Sequence, residues 1–440
     1  MSALPKSILG RSAELLKLAA KMGSEELSSR LASADVLTKQ LDQAKLLVDS
    51  LGRLKGAAMK VGQLMSMDFG DLFPEEVRVI LEQLQNTSPH FLSLEEIKTI
   101  VKNELNEKYN DLHDLSALPI AAASIGQVHR VNYIKDNKTH SLVLKIQYPN
   151  IATSIDSDLK MLKTLFKSFI AISRKKIDID PLFAELEHIF KQEANYLTEL
   201  ERLNEYRSLF DGREGYRVPN AYSDLSTQHV LAMSFEEGLS LREWIRLEPS
   251  IERKRMMGER ILDLYSFEFF KNGLVQTDPN PSNFLVNSND ELVLLDFGAV
   301  KKFEKEFVHE YVALMRAVYE RNIPKTISQA HKMKFLDERE DQATQEQFYK
   351  MIRSSLCAFD EEAQPFDFTS KSYFENTKLA SRDFGKMSQF TSPPFEIIFL
   401  HRKLVGIFGI LKDLRLDMDL KPYWLKVQEL AGYSLQNPEL

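Results

Sequence analysis

The chain has 440 residues, 43% hydrophobic and 28% charged, enough to bury a sizeable core and divide into two or three domains. A net charge of −7 excludes the strongly basic balance of a general nucleic-acid binder. The single cysteine, Cys357, excludes an internal disulfide and any zinc site built on cysteine spacing.

No compact apolar block of the secretory kind opens the chain, and no apolar run reaches the roughly 18 residues of a spanning helix. Ile8, Leu9, Leu15, Leu16 and Leu18 alternate with Lys6, Arg11, Lys17 and Lys21. This pattern predicts a basic amphipathic helix that either packs on its own domain, the favoured reading, or rests on an anionic membrane surface. Residues 1–110 read as helical: Leu51–Met67, a helix opening at Pro74, and a third opening at Ser93 and running towards Leu105. Within the first, Lys60 and Gln63 share a helix face beside Gly62. On residues alone they read as a solvated pair.

The composition changes near Leu115. Ala121, Ala122, Ala123 and Ser124 form a small-residue loop ahead of strand-like Val128–Tyr133, and after the turn at Asp136-Asn137-Lys138 a second strand carries Lys145. Loop, hairpin and lysine follow the order of a kinase nucleotide clamp, with alanines where glycines usually free the backbone. Met161–Ser173, interrupted by Lys163 and Lys167, reads as an amphipathic helix. A long helix over 181–210 carries Glu193 and Glu199. A kinase needs one helix carboxylate to pin the strand lysine. Glu193 fits that role as well as it fits a solvated position. The strand His229–Met233 then runs into Met233-Ser234-Phe235-Glu236-Glu237-Gly238, the pattern of a hinge that offers backbone groups to an adenine ring.

Further on, Gly273 caps the helix Ile251–Asn272, and Gln276-Thr277-Asp278-Pro279-Asn280-Pro281-Ser282-Asn283 places an Asn five residues after an Asp. The apolar run Leu292–Leu295 predicts a buried strand, and Asp296-Phe297-Gly298 follows at once. Phosphoryl transfer needs metal ions held against phosphates and a carboxylate beside the acceptor. Asp278, Asn283 and Asp296 supply these groups at protein-kinase spacing, with Gln276 standing where the signature has His. The remainder reads as helical: Phe307–Tyr319, Gln345–Cys357, Phe395–Leu411 and Trp424–Leu430.

Taken together, the motifs resemble those of the UbiB-type (AarF-like) atypical kinase family, which includes coenzyme Q biosynthesis ATPases, over about residues 50–415. Lys60-Val61-Gly62-Gln63 resembles the family's KxGQ motif, the Ala-rich stretch its nucleotide loop, and Gln276-Thr277-Asp278-Pro279-Asn280 its coenzyme Q branch. Leu400-His401-Arg402-Lys403-Leu404 resembles a C-lobe segment of the same branch. The resemblance implies an α+β, protein-kinase-like bilobal fold with an added N-terminal helical domain. Its parts would be a helical extension over 1–110, an N-lobe over 111–238 and a mainly helical C-lobe over 239–440. It also implies roles. Lys145 and Glu193 would form the clamp, and Asp278 would be the catalytic carboxylate. Asn283 and Asp296 would bind Mg2+. Ala121, Ala122, Ala123, Ser124, Met233 and Phe235 would surround ATP or ADP, with the Ala-rich loop favouring ADP-like binding. Lys60 and Gln63 would occlude a protein-substrate groove, with Glu199 as a second, regulatory carboxylate. Asn195 departs from the family's ExD aspartate.

The leading expectation is a magnesium-dependent ATPase supporting ubiquinone or related isoprenoid-lipid metabolism. Its partners would be ATP, a quinone-like lipid, a peripheral membrane surface and a biosynthetic enzyme complex, without nucleic acid. The location implied is cytoplasmic and peripheral at an inner membrane, on the mitochondrial matrix side in a eukaryote. A true protein or small-molecule kinase is the second reading, and a nucleotide-binding pseudokinase scaffold is the third.

Overall fold

The computed structural model describes residues 91–433, apart from Ser124, 150–154, 157–158, 161–162, 165–166, 168–179 and 392–393. The basic N-terminal helix, the helices expected over 51–67 and from Pro74, Lys60, Gln63, Ser124 and most of Met161–Ser173 lie outside the described residues. The chain divides into two compact units, one ending at Leu200 and completed by Ala221–Phe235, the other made of Glu201–Asn220 and Glu236–Leu440.

The first unit opens with α1 (Leu94–Leu105). Ser93 caps it in a reciprocal capping box with Glu96, and Ile97, Val101 and Leu105 line its buried face. β1 (Leu112–His113), β2 (Ala121–Ala123), β3 (Gly126–Lys135) and β4 (Lys138–Gln147) follow. Next come α2 (Asp180–Glu193) and α3 (Tyr196–Phe210); β5 (Tyr216–Arg217) belongs to the other unit, and β6 (Val230–Ser234) completes the sheet. The order is β1-β3-β4-β6, with β2 pairing β3. Alternation on β3 and β4 sends Val131, Leu142, Leu144 and Ile146 into one core with Ile97, Val101, Val230 and Ala232. The helix expected over 181–210 is two helices, because the α-helical ladder stops at Glu193 and Asn195 Oδ1 accepts from Leu197 N–H at 3.1 Å to start the second.

A buried polar chain links α1's approach to this sheet. Gln127 Oε1 accepts from Leu92 N–H at 2.8 Å, while Gln127 Nε2 lies 2.7 Å from His129 Nε2 and His129 Nδ1 lies 2.8 Å from the Ser116 carbonyl. The carbonyl fixes the proton on Nδ1, which leaves Nε2 to accept from the Gln127 amide. A second proton would face that N–H. Burial accordingly holds His129 below its ordinary value of 6.5, the Ser116 bond working against the shift. The unfolded chain therefore binds the proton more readily, so stability is complete above pH 6.5 and is lost as pH falls below it. Amide exchange in β3 and β4, corrected for intrinsic rates, should accelerate as pH falls below 6.5 in the native protein. His129→Gln should flatten that dependence.

The second unit contains β7 (Leu239–Ser240), α4 (Leu241–Arg246) and α5 (Ile251–Tyr265), which continues as a π-helical turn over Ser266–Lys271. β8 (Leu274–Gln276), β9 (Phe284–Val286), β10 (Leu292–Leu294) and β11 (Val300–Lys302) come next. They form a four-stranded sheet, β5-β10-β9-β7, and a β8·β11 pair. Gly273 adopts φ +61° at the end of the α5 extension, as a C-cap glycine should. Helices α6 (Lys305–Tyr319), α7 (Ile323–Lys332) and α8 (Gln342–Leu356) follow. β12 (Phe366–Asp367), α9 (Lys371–Met387), α10 (Phe395–Asp413), β13 (Asp417–Met418) and α11 (Lys421–Leu430) complete the unit. Both tryptophans, Trp244 and Trp424, are buried in it.

Candidate active site

In the first unit, Lys145 stands on β4 between Leu144 and Ile146, both in the core, and its own side chain is 11% exposed. Its ammonium donates to both Glu199 carboxylate oxygens, at 2.8 and 2.9 Å, and lies 5.3 Å from the Tyr196 ring centroid. Glu199 is 3% exposed. A buried ion pair of this kind holds only when geometry is good, since either charge alone would be strongly penalised. The expectation that Glu193 pins the strand lysine is therefore corrected: Glu199, read as a second regulatory carboxylate, is the partner, because α3 starts anew after the break and turns its first carboxylate to β4. Glu193 is buried near the end of α2. Gln147 Nε2 ties β4 to the Ala194 carbonyl at 3.1 Å, across the helix break.

Ala121, Ala122 and Ala123 are not a loop. They form β2, paired antiparallel with Val128, Gln127 and Gly126 of β3. A side chain on Gly126 would collide with the Ile146 carbonyl, so glycine permits close approach of β3 to β4. Met233 is paired with Val143 in the sheet, and Phe235 N–H donates to the Ser141 carbonyl at 2.9 Å. That N–H is committed to the fold and not offered to an adenine ring. The Phe235 ring lies 4.0 Å from the Arg130 guanidinium.

In the second unit, β8 delivers the segment Gln276–Asp278. Thr277 donates twice to the Ala299 carbonyl, from N–H and Oγ1, each at 2.8 Å, binding the segment to the chain just after Asp296-Phe297-Gly298. Asn280 Oδ1 accepts from Ser282 N–H at 3.0 Å and starts a 3-10 turn over Pro281–Asn283. The turn brings Asn283 Nδ2 back to Asp278, 3.1 Å from Oδ2 and 3.3 Å from the backbone carbonyl. Leu295 N–H donates to the Asn283 carbonyl at 3.1 Å, which fastens the turn to the residue before Asp296. Asp296 Oδ1 accepts from Gly298 N–H at 3.0 Å. Asp278, Asn283 and Asp296, predicted from spacing, thus belong to one hydrogen-bonded assembly.

Two residues of α10 reach the same segment. Arg402 Nη2 donates to Asp278 Oδ1 at 3.1 Å, and Lys403 Nζ donates to Gln276 Oε1 at 3.0 Å. Lys403 also pairs with Glu268 of the π-helical turn at 3.1 Å, each side chain 1% exposed, and Tyr206 donates to Glu268 at 2.9 Å. Burial pushes the Glu268 carboxyl up from its ordinary range, and the Lys403 ammonium works against that shift. Sequence reasoning gave Arg402, Lys403 and Glu268 no role, although consecutive cations inside the apolar helix Phe395–Asp413 were a visible anomaly.

The donor set suits the groups a kinase-like site takes. Asn283 uses its Nδ2 on Asp278, so its carbonyl oxygen faces the same chemistry as the Asp296 carboxylate: both are hard oxygen donors of the kind Mg2+ prefers. Lys145, pinned by a carboxylate, has the form of the cation that kinase-like proteins set against phosphates.

This fold and these residues define a protein-kinase-like protein. The chain belongs to the ABC1 atypical kinase-like family, whose domain matches residues 83–330. It is 28% identical over 403 residues to "Atypical kinase COQ8B, mitochondrial" of Danio rerio, a match covering 90% of this chain and 62% of that protein. It is 27% identical over 420 residues to "Atypical kinase COQ8, mitochondrial" of Saccharomyces cerevisiae, covering 92% and 82% respectively. The fold is also that of the Mycobacterium tuberculosis protein in "The complex structure of Rv3197-erythromycin", with TM-score 0.62 and 22% identity over 92% of this chain and 100% of that one.

Two measurements test the geometry. Glu199→Gln should weaken Mg·ADP binding about tenfold more than Glu193→Gln does, read by calorimetry, because it releases Lys145 from the carboxylate that a kinase clamp uses to aim its lysine. Lys403→Met leaves Glu268 buried without a cation and should cost about 3–5 kcal/mol in urea unfolding followed by the two tryptophans. The double variant Glu268→Gln/Lys403→Met should recover most of it.

Proposed function

We propose that this protein is a magnesium-dependent ATPase of atypical-kinase type that supports ubiquinone or related isoprenoid-lipid metabolism. The observation carrying the reading is the buried Lys145–Glu199 pair, the arrangement a catalytically competent kinase clamp requires. Lys145 binds the α/β-phosphates, held in place by Glu199. Asn283 and Asp296 hold Mg2+, which when bound neutralises charge on the phosphate oxygens. Asp278, oriented by Arg402 and Asn283 through opposite carboxylate oxygens, accepts the hydrogen bond of the attacking water or small acceptor.

The mitochondrial kinases among the relatives support a mitochondrial location in a eukaryote, and the reading places the work at the matrix side of the inner membrane. No helix among the described residues is long and apolar enough to cross a membrane.

The test is phosphate release from Mg·ATP by the wild type and Asp278→Asn, with and without liposomes and a ubiquinone-precursor mimic. Turnover should fall by roughly 100-fold or more in the variant, the usual contribution of a positioned general base, and rise with lipid in the wild type. Tight nucleotide binding without turnover under every condition would replace the ATPase reading with that of a nucleotide-binding scaffold.

A further inference from the structure

We propose that Arg402 and Lys403 are positioning residues for phosphoryl transfer, a pair of cations through which helix α10 sets the catalytic segment Gln276–Asp278. Their contribution to turnover rests on the ATPase reading above; their hold on the segment does not.

Arg402 and Lys403 are 3% and 1% exposed in a helix that is otherwise largely apolar. Two buried cations side by side are unfavourable unless each meets a carboxylate or a well-placed acceptor. Each does, and both reach the same three-residue segment. Lys403 holds the side chain two positions before the catalytic Asp, where the kinase signature carries His and this chain carries Gln276. Arg402 holds Asp278 itself through Oδ1, while Asn283 takes Oδ2, so the carboxylate is gripped from both sides and its rotation is fixed.

A third contact lies one turn further along the same helix. A side chain at Gly406 would collide with Cβ and Cγ of Pro279, so the glycine lets α10 pack directly on the residue after Asp278. Residues 402, 403 and 406 thus direct one stretch of α10 at positions 276, 278 and 279. Charge compensation of Glu268 accounts for Lys403 alone. It does not account for Arg402 or Gly406.

The experiment uses the full chain with Arg402→Met and Arg402→Lys, and three readouts: hydrogen exchange of residues 274–283, Mg·ADP affinity, and kcat for phosphate release. In Arg402→Met, exchange in 274–283 should rise about tenfold while the rest of the second unit stays protected. Its kcat should fall roughly 100-fold, with Mg·ADP affinity within about threefold of wild type, because the lost contact orients the carboxylate and touches no phosphate. Arg402→Lys should recover about tenfold in kcat, since a cation is restored beside Asp278 without the planar guanidinium that aims a fixed N–H at Oδ1. Unchanged loop exchange and kcat in Arg402→Met would overturn the proposal. So would a general rise in exchange across the unit, or a loss of kcat matched by an equal loss of nucleotide affinity, since either marks a purely structural role. Where the wild type itself shows no turnover, the ATPase reading fails and the exchange of 274–283 alone decides whether Arg402 holds the segment.

Discussion

A charged side chain removed from water needs an opposite charge or a full set of hydrogen bonds, and three buried ion pairs organise the functional parts of this protein. Lys145 with Glu199 fixes strand β4 to the start of α3. Lys403 with Glu268 fixes α10 to the π-helical turn after α5. Arg402 with Asp278 fixes α10 to the segment Gln276–Asp278. None of these pairs is a favourable choice for stability alone, since well-packed apolar residues of similar volume often serve as well. What a buried pair adds is direction. Each cation has one partner geometry in which its desolvation is compensated, so each specifies where a functional atom stands.

The same logic explains which parts of the site were legible in the sequence. Asp278, Asn283 and Asp296 lie within one short stretch, and their spacing encodes the turn that joins them. Lys145 was legible because loop, hairpin and lysine follow one another in the order of a kinase nucleotide clamp, ahead of a helix bearing glutamates. The choice between Glu193 and Glu199 was not legible, because it depends on a helix break. Continuous periodicity over 181–210 hid the end of α2, and the Asx bond at Asn195 that starts α3 leaves no strong composition signal. The alanines of β2 looked like a loop because small residues suit both a flexible segment and a close-packed hairpin.

Arg402, Lys403 and Glu268 were illegible for another reason: their partners are far away in the chain. Arg402 meets Asp278 across 124 positions and Lys403 meets Gln276 across 127. No local rule assigns such pairs, and only the presence of two adjacent cations in an apolar helix announced them. Helices α7 and α9 escaped notice on similar grounds. The first is a short element, opened by the Asn322 cap and an early proline, that buries only Thr326 and Ala330, and the second has no buried residue, so neither sends a large apolar side chain into the core.

Catalysis by a kinase-like fold depends more on placement than on reactive groups, because phosphoryl transfer asks for little covalent chemistry from the protein. Placement errors of about 1 Å can cost on the order of 100-fold in rate. A catalytic carboxylate on a free loop would wander by more than that. Here the carboxylate is bounded by Asn283 within its own turn and by Arg402 from a helix 19 residues long. The turn supplies local geometry and the helix supplies rigidity. A carboxylate has about four lone-pair sites, so two anchoring bonds still leave acceptor capacity for the proton of a water or small alcohol. The anchors therefore fix the orientation of Asp278 without exhausting its chemistry, and that is the combination a positioned general base needs.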